Sequence, residues 1–168
     1  MRTHDFKKSI VVGAEGETLI KNWLHQNPKV TDVVDVSEDK KYQNQDIDFV
    51  VHTSDGGSFT VELKTDTYTS GNIFFETMSN VEHNVKGCMY KSQADFLLYY
   101  FTETRELYML RLEEYRKWFE ENISHFKKKA FRNVNRKRDG YYTSEGYTIP
   151  KVFLEKSMTT YQCKKVIL

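Results

Sequence analysis

Apolar and polar positions alternate with a period of two on either side of a Gly-Gly pair, and this alternation organises the first half of the chain. Asp46-Ile47-Asp48-Phe49-Val50-Val51 and Ser58-Phe59-Thr60-Val61-Glu62-Leu63-Lys64 flank His52-Thr53-Ser54-Asp55-Gly56-Gly57. Successive side chains on a strand point to opposite faces, and Gly-Gly between β-prone runs signals a hairpin turn. The pattern predicts strands around Ile47 to His52 and Ser58 to Asp66. Asp46, Asp48 and Val50 share one face of the first strand. On the second, Thr60, Glu62 and Lys64 share a face, and Phe59, Val61 and Leu63 take the other.

Upstream the period changes to that of a helix. Ile20, Trp23 and Leu24 follow the i, i+3, i+4 rule and predict a helix from about Ser9 to His25, ending before Pro28. Glu17 falls on its apolar stripe and Glu15 nearly opposite. Further strands are predicted at Val30 to Val36, Asn72 to Thr77, Ala94 to Phe101 and Glu106 to Leu112. Polar connections lie at Glu38 to Gln45 and Met78 to Gly87. A second helix carries Tyr115, Trp118, Phe119, Ile123 and Phe126 on one stripe, a spacing that assigns these aromatics to a core rather than to base stacking. The tail from Tyr141 to Leu168 predicts edge strands around Gly146 to Phe153 and Thr160 to Ile167. With no internal repeat and no clean boundary, the 168 residues read as one α/β domain with a mixed sheet.

The hairpin, paired in simple register, gathers Asp48, Glu62 and Lys64 on one polar face. Carboxylate oxygens suit hard cations such as Mg²⁺ or Mn²⁺, and a neighbouring lysine can orient a water or balance charge on a phosphate. Glu17 adds a third acid, and a carboxylate facing a core is costly unless paired or metal-bound. The same residues also fit a plainer reading: a Glu/Lys ion pair on a solvated hairpin, and a helix N-terminal acid interacting with the dipole.

Gly16-Glu17 with Ile20 and Leu24, then Ile47-Asp48-Phe49, then Val61-Glu62-Leu63-Lys64 resemble the PD-(D/E)XK nuclease superfamily, the fold of many restriction enzymes and Holliday junction resolvases. The resemblance covers roughly residues 10 to 66 and extends to about 112. It implies a restriction endonuclease-like αβββαβ core with extra strands. It also implies Mg²⁺-dependent hydrolysis of DNA phosphodiesters, with Glu17, Asp48 and Glu62 holding the metal, the Leu63 carbonyl as a further ligand, and Lys64 positioning the attacking water. Two departures stand out. Ile47 occupies the place of the proline that often precedes the aspartate. The Q-x-x-x-Y motif of some exonuclease branches is missing, since Gln93 is followed four residues later by Leu97.

Charge adds a partner. Lys and Arg number 25 against 24 Asp and Glu, so any nucleic-acid surface must be local rather than global. The candidate is Lys127, Lys128, Lys129, Arg132, Arg136, Lys137 and Arg138, a run uninterrupted by acids that would neutralise DNA phosphates; its plainer reading is a solvated helix end. Lys91 and Ser92 form a smaller candidate contact, and Lys7 and Lys8 lie near Glu17 in sequence. Glu76 and Asp95 read as strand-end acids, each a candidate partner for Lys64. The chain carries no membrane-length apolar run and no signal-type stretch, and Cys88 and Cys163 read as buried thiols, so a cytoplasmic protein is expected. Two alternatives to the nuclease remain: a non-catalytic DNA- or partner-binding module of the same fold, and a structure-selective resolvase acting as a homodimer. A small stand-alone nuclease core would also suit a phage or mobile element.

Overall fold

The hairpin lies at the centre of the larger of two sheets. The computed structural model describes residues 6–135, 140–160 and 163–168. Helix α1 (Phe6–His25) leads into β1 (Val30–Asp35), a short helix α2 (Lys40–Gln43), β2 (Phe49–Thr53) and β3 (Ser58–Asp66). These three strands form an antiparallel meander. The chain then leaves through β4 (Asn72–Asn80), β5 (Val85–Lys86) and the short helix α3 (Cys88–Lys91). It returns as β6 (Phe96–Phe101), parallel to β3, with Glu62 opposite Leu97 and Lys64 opposite Tyr99. β7 (Glu106–Arg111), α4 (Leu112–Asn122), β8 (Lys127–Asn135), β9 (Gly140–Pro150), α5 (Lys151–Met158) and β10 (Lys164–Ile167) complete the order. The result is a mixed α/β structure, with a six-stranded sheet ordered β1-β2-β3-β6-β7-β10 and a four-stranded sheet ordered β5-β4-β9-β8. Among the described residues no helix is long and apolar enough to cross a membrane.

Each face of the large sheet has its own core. On one face Ile20 and Leu24 of α1 meet Val33, Phe49, Val51, Val61, Leu63 and Leu98. On the other, Leu97, Tyr99, Phe101 and Leu110 pack with Ile73, Phe75 and Ile149 of the second sheet and with the aromatic stripe of α4. That stripe is core, as its spacing predicts: Phe119 meets Phe75 and Tyr147 edge-on and stacks on Phe126. Because β3 has a strand on either side and cover on both faces, Val61, Glu62 and Leu63 are all buried. Alternation therefore separates the two faces of β3 without leaving one of them wet.

Several elements depart from the sequence expectation. β4 continues to Asn80 and β5 lies inside the segment expected to be a loop, because β4 keeps pairing with β9 and then with β5. Residues 127–135 form a strand along β9, not the end of a helix. The strand expected over Gly146 to Phe153 stops at Pro150, and α5 begins at Lys151. Lys151, Leu154 and Met158 are buried at helical spacing while Val152 is exposed; the β-prone Val152 and Phe153 mask that period in the sequence. Ion pairs tie the C-terminal elements back to β7. Glu106 pairs with Lys151 and, at 2.6 Å, with Lys165, while Glu155 accepts from Tyr108 Oη at 2.7 Å and pairs with Lys165 at 2.8 Å.

The two inner strands of the small sheet touch at Gly146. A Cβ there would lie 2.3 Å from the Phe75 carbonyl oxygen and 2.9 Å from Glu76 Cα, both backbone atoms that cannot swing aside. Gly146→Ala is therefore expected to destabilise the fold by about 1–3 kcal/mol, the usual range for overpacking, read as a lowered urea midpoint at unchanged slope.

Candidate functional site

α1 reaches the end of β3 through a residue without a side chain. A Cβ on Gly16 would sit 2.4 Å from Thr65 Oγ1 and 3.2 Å from Thr65 Cβ, so only glycine permits this approach. The contact brings the next residue, Glu17, to the acids at the ends of β1 and β2. Desolvation, followed by the charges of Asp48 and Asp35, raises the Glu17 carboxyl above its ordinary value.

Asp48 is held by backbone on both sides. Its N–H donates to Val61 O at 2.8 Å, its carbonyl accepts from Val36 N at 2.9 Å, and its carboxylate Oδ2 accepts from Leu63 N at 2.7 Å. Burial raises its pKa despite the Leu63 N–H and the nearby Lys64 charge, and the Glu62 carboxyl is a hydrogen-bonding partner. Glu62 is only 3% exposed. Loss of water, with Lys64 opposing and Asp48 adding, pushes its pKa up to about 8. Lys64 Nζ lies 2.7 Å from Glu62 Oε1. Desolvation alone would lower the Lys64 ammonium, but the Glu62 charge outweighs it and the pKa rises well above the ordinary value. Burial beside Asp48 favours a protonated Glu62, and the Lys64 ammonium at 2.7 Å favours its ionised form.

The sequence-selected groups form a run of neighbours: Glu62 contacts Lys64 at 2.7 Å and hydrogen-bonds with Asp48, Leu63 contributes its N–H to Asp48, and Glu17 lies within electrostatic reach of Asp48. Two further acids join them. Glu76, on β4, feels the charge of Lys64, and burial raises its carboxyl. The β3-to-β4 crossover carries it over the buried face of β3, a placement that strand periodicity alone does not reveal. Asp35 at the end of β1 faces Glu17; its only sequence signal is its place at the end of a predicted strand. Cys88 of α3 closes the same pocket, and desolvation pushes its thiol up to about 12.

Other candidates have local duties. Asp46 forms an ion pair with Lys91 and adopts a left-handed backbone with φ 46°. Ser92 is buried, and its hydroxyl donates to Asp46 O at 2.7 Å, so it anchors the loop before β2 and is not a surface contact for nucleic acid. Asp95 accepts from Thr60 N and Oγ1 at 2.7 and 2.8 Å, just ahead of the start of β6. The basic run is divided by the pleat of β8. Lys127 and Lys129 line a cleft of about 1120 Å³ that Lys64 and Glu76 also line, and Arg132 reaches it. Lys128 instead pairs with Glu145 at 2.7 Å. Arg136, Lys137 and Arg138 lie outside the described residues, as do the side chains of Lys7 and Lys8.

No family model, curated protein or solved structure matches this chain. Among the described residues no group of three or more His, Cys, Asp and Glu side chains is placed so that it could hold a metal ion. The donor chemistry nevertheless fits a hard divalent cation. Asp48 and Glu62 are neighbouring oxygen donors whose carboxyls burial raises, and Glu17 lies within electrostatic reach of Asp48.

The raised Glu62 pKa sets a testable pH dependence. An unfolded Glu ionises near 4.5, whereas this one ionises near 8 in the fold. Between these values the folded state holds the extra proton, so Glu62 makes stability fall as pH rises through that window. Glu62→Gln stays neutral throughout. In EDTA its urea stability relative to the parent is expected to increase from pH 5 to pH 8.5, by on the order of a few kcal/mol. A difference that does not change with pH would show that Glu62 is already ionised at pH 5.

Proposed function

We propose that this chain is a metal-dependent nuclease that hydrolyses DNA phosphodiester bonds. The observation that carries the reading is the contact of Glu62 with Lys64 beside Asp48 on the central hairpin, with Glu17 of α1 within electrostatic reach of Asp48. Part of the element order supports kinship with the PD-(D/E)XK fold: a helix, an antiparallel three-strand meander, and a returning strand parallel to the third, with the crossover helix of the αβββαβ core represented only by the four-residue α3. In this reading the four-stranded sheet is an addition to that core.

Glu17, Asp48 and Glu62 would hold Mg²⁺ or Mn²⁺. Such an ion supplies Lewis-acid polarisation of a phosphoryl oxygen and an acidified water. The chain's own groups set the rest of the chemistry. Asp48, fixed by the Leu63 N–H, offers a carboxylate that does not have to reorganise. Lys64 is fixed at its ammonium by Glu62, yet 40% of its side chain remains exposed on the cleft. It can therefore donate to a phosphate oxygen or to the attacking water where negative charge grows. Glu62 links the two roles, because its burial holds both Asp48 and Lys64 in fixed relation to it.

A non-catalytic module is the weaker reading. Burying acids side by side destabilises a fold, and perturbed carboxyls gathered beside a cleft mark functional sites more often than scaffolds.

The test is incubation with linear, circular, branched and single-stranded DNA in Mg²⁺ and in EDTA. Cleavage is expected in Mg²⁺ alone. Asp48→Ala and Lys64→Ala are each expected to lower the rate at least about a hundredfold, with the circular dichroism spectrum unchanged. Rates equal to the parent in either variant would remove this site as the catalytic centre.

A further inference from the structure

The cleft beside Lys64 has two different walls. One is the end of β3, with Lys64, Thr65 and Asp66. The other is the pleated face of the small sheet, where alternation along β8 presents Lys127, Lys129, Phe131 and Asn133. Phe74 of β4 meets Phe131 edge-on at 5.1 Å, and Tyr142, paired in register with Asn133, continues this aromatic wall. Lys127 and Lys129 are exposed, and Phe74, Phe131 and Tyr142 are partly so. The acids Asp66 and Glu76 lie at the Lys64 end; Asp66 is engaged by Tyr99 Oη at 2.7 Å. Free positive charge and aromatic surface are thus concentrated together on β8 and its neighbours.

This combination discriminates between forms of DNA. A duplex presents phosphates outward and keeps its base faces stacked inside, so an aromatic wall would have nothing to contact. An unpaired strand brings phosphates and base faces to the same surface, and cation-plus-aromatic grooves bind such strands through both. The space agrees, since about 1120 Å³ is on the scale of a ligand pocket, roughly 300–1,000 Å³, and suits a few nucleotides rather than a double helix.

We propose that the cleft between β3 and the β4-β9-β8 face binds an unpaired DNA strand, with phosphates on Lys127 and Lys129 and bases against Phe131 and Tyr142, and delivers it to Lys64. The inference rests on the nuclease reading for its direction, because the strand delivered is the one to be cut. Its binding step requires neither metal nor catalysis.

The experiment is fluorescence anisotropy in EDTA with a labelled oligo-dT twelve-mer and a duplex of equal length. The single strand is expected to bind at least tenfold more tightly. Lys127→Gln combined with Lys129→Gln, and separately Phe131→Leu, should each weaken single-strand binding about tenfold. Lys128→Gln, on the opposite face of β8, should change it less than twofold. Circular dichroism checks that each variant is folded. Equal or tighter duplex binding, or single-strand binding unmoved by both cleft variants, would overturn the proposal. Preferential single-strand binding by a chain that cuts nothing would uphold the cleft and remove the nuclease. Cleavage of duplex without single-strand preference would do the reverse.

Discussion

The burial of Glu62 is the constraint on which the rest of the site depends. β3 has β2 on one side and β6 on the other, and both of its faces are covered. A carboxyl in that position has lost most of its water, and its neighbours include a second carboxyl from Asp48. It can be accommodated in only a few ways: by a proton, by the Lys64 ammonium, or by a cation. The fold provides the Lys64 ammonium, and burial favours the protonated form. The third fits the oxygen donors that surround it.

The surrounding architecture serves this arrangement. Gly16 lets α1 close on Thr65, and without that approach Glu17 would stand away from the acids it faces. The Leu63 N–H and the backbone of Val36 and Val61 fix Asp48 without using any of its neighbours' side chains. The excursion of the chain through β4, β5 and α3 places Glu76 and Cys88 over the same pocket and builds the wall that opens toward Lys127 and Lys129. Site and cleft thus share Lys64, whose ammonium belongs to one and whose exposed side belongs to the other.

The local parts of this picture were legible in the sequence. Period-two alternation around Gly56-Gly57 identified the hairpin, and the spacing of Ile20, Trp23 and Leu24 identified α1. The resemblance then singled out Glu17, Asp48, Glu62 and Lys64. The approach of Asp48 to Glu62 follows from the pairing of a hairpin, a local feature, whereas the approach of Glu17 depends on the contact of Gly16 with Thr65, which is distant in sequence. What escaped was set by long-range pairing. Nothing near Met78 shows that β4 will continue along β9, and nothing near Lys127 shows that the basic run will be pleated so that Lys128 faces away from its neighbours. Ser92 looked like a surface hydroxyl because its partner, the carbonyl of Asp46, is distant in sequence. The strand-to-helix switch at Pro150 was hidden because Val152 and Phe153 favour strands while the buried stripe of Lys151, Leu154 and Met158 is short and begins with a lysine.

The most direct test of a cation-demanding cluster is isothermal calorimetry with Mn²⁺ near pH 7, repeated in two buffers of different ionisation enthalpy. Because burial raises the carboxyls of Glu62 and Asp48 and a metal binds only their ionised forms, the account predicts saturable binding with release of about one proton per ion, abolished in Asp48→Ala. Absence of saturable binding, or equal binding by Asp48→Ala with no proton released, would contradict it.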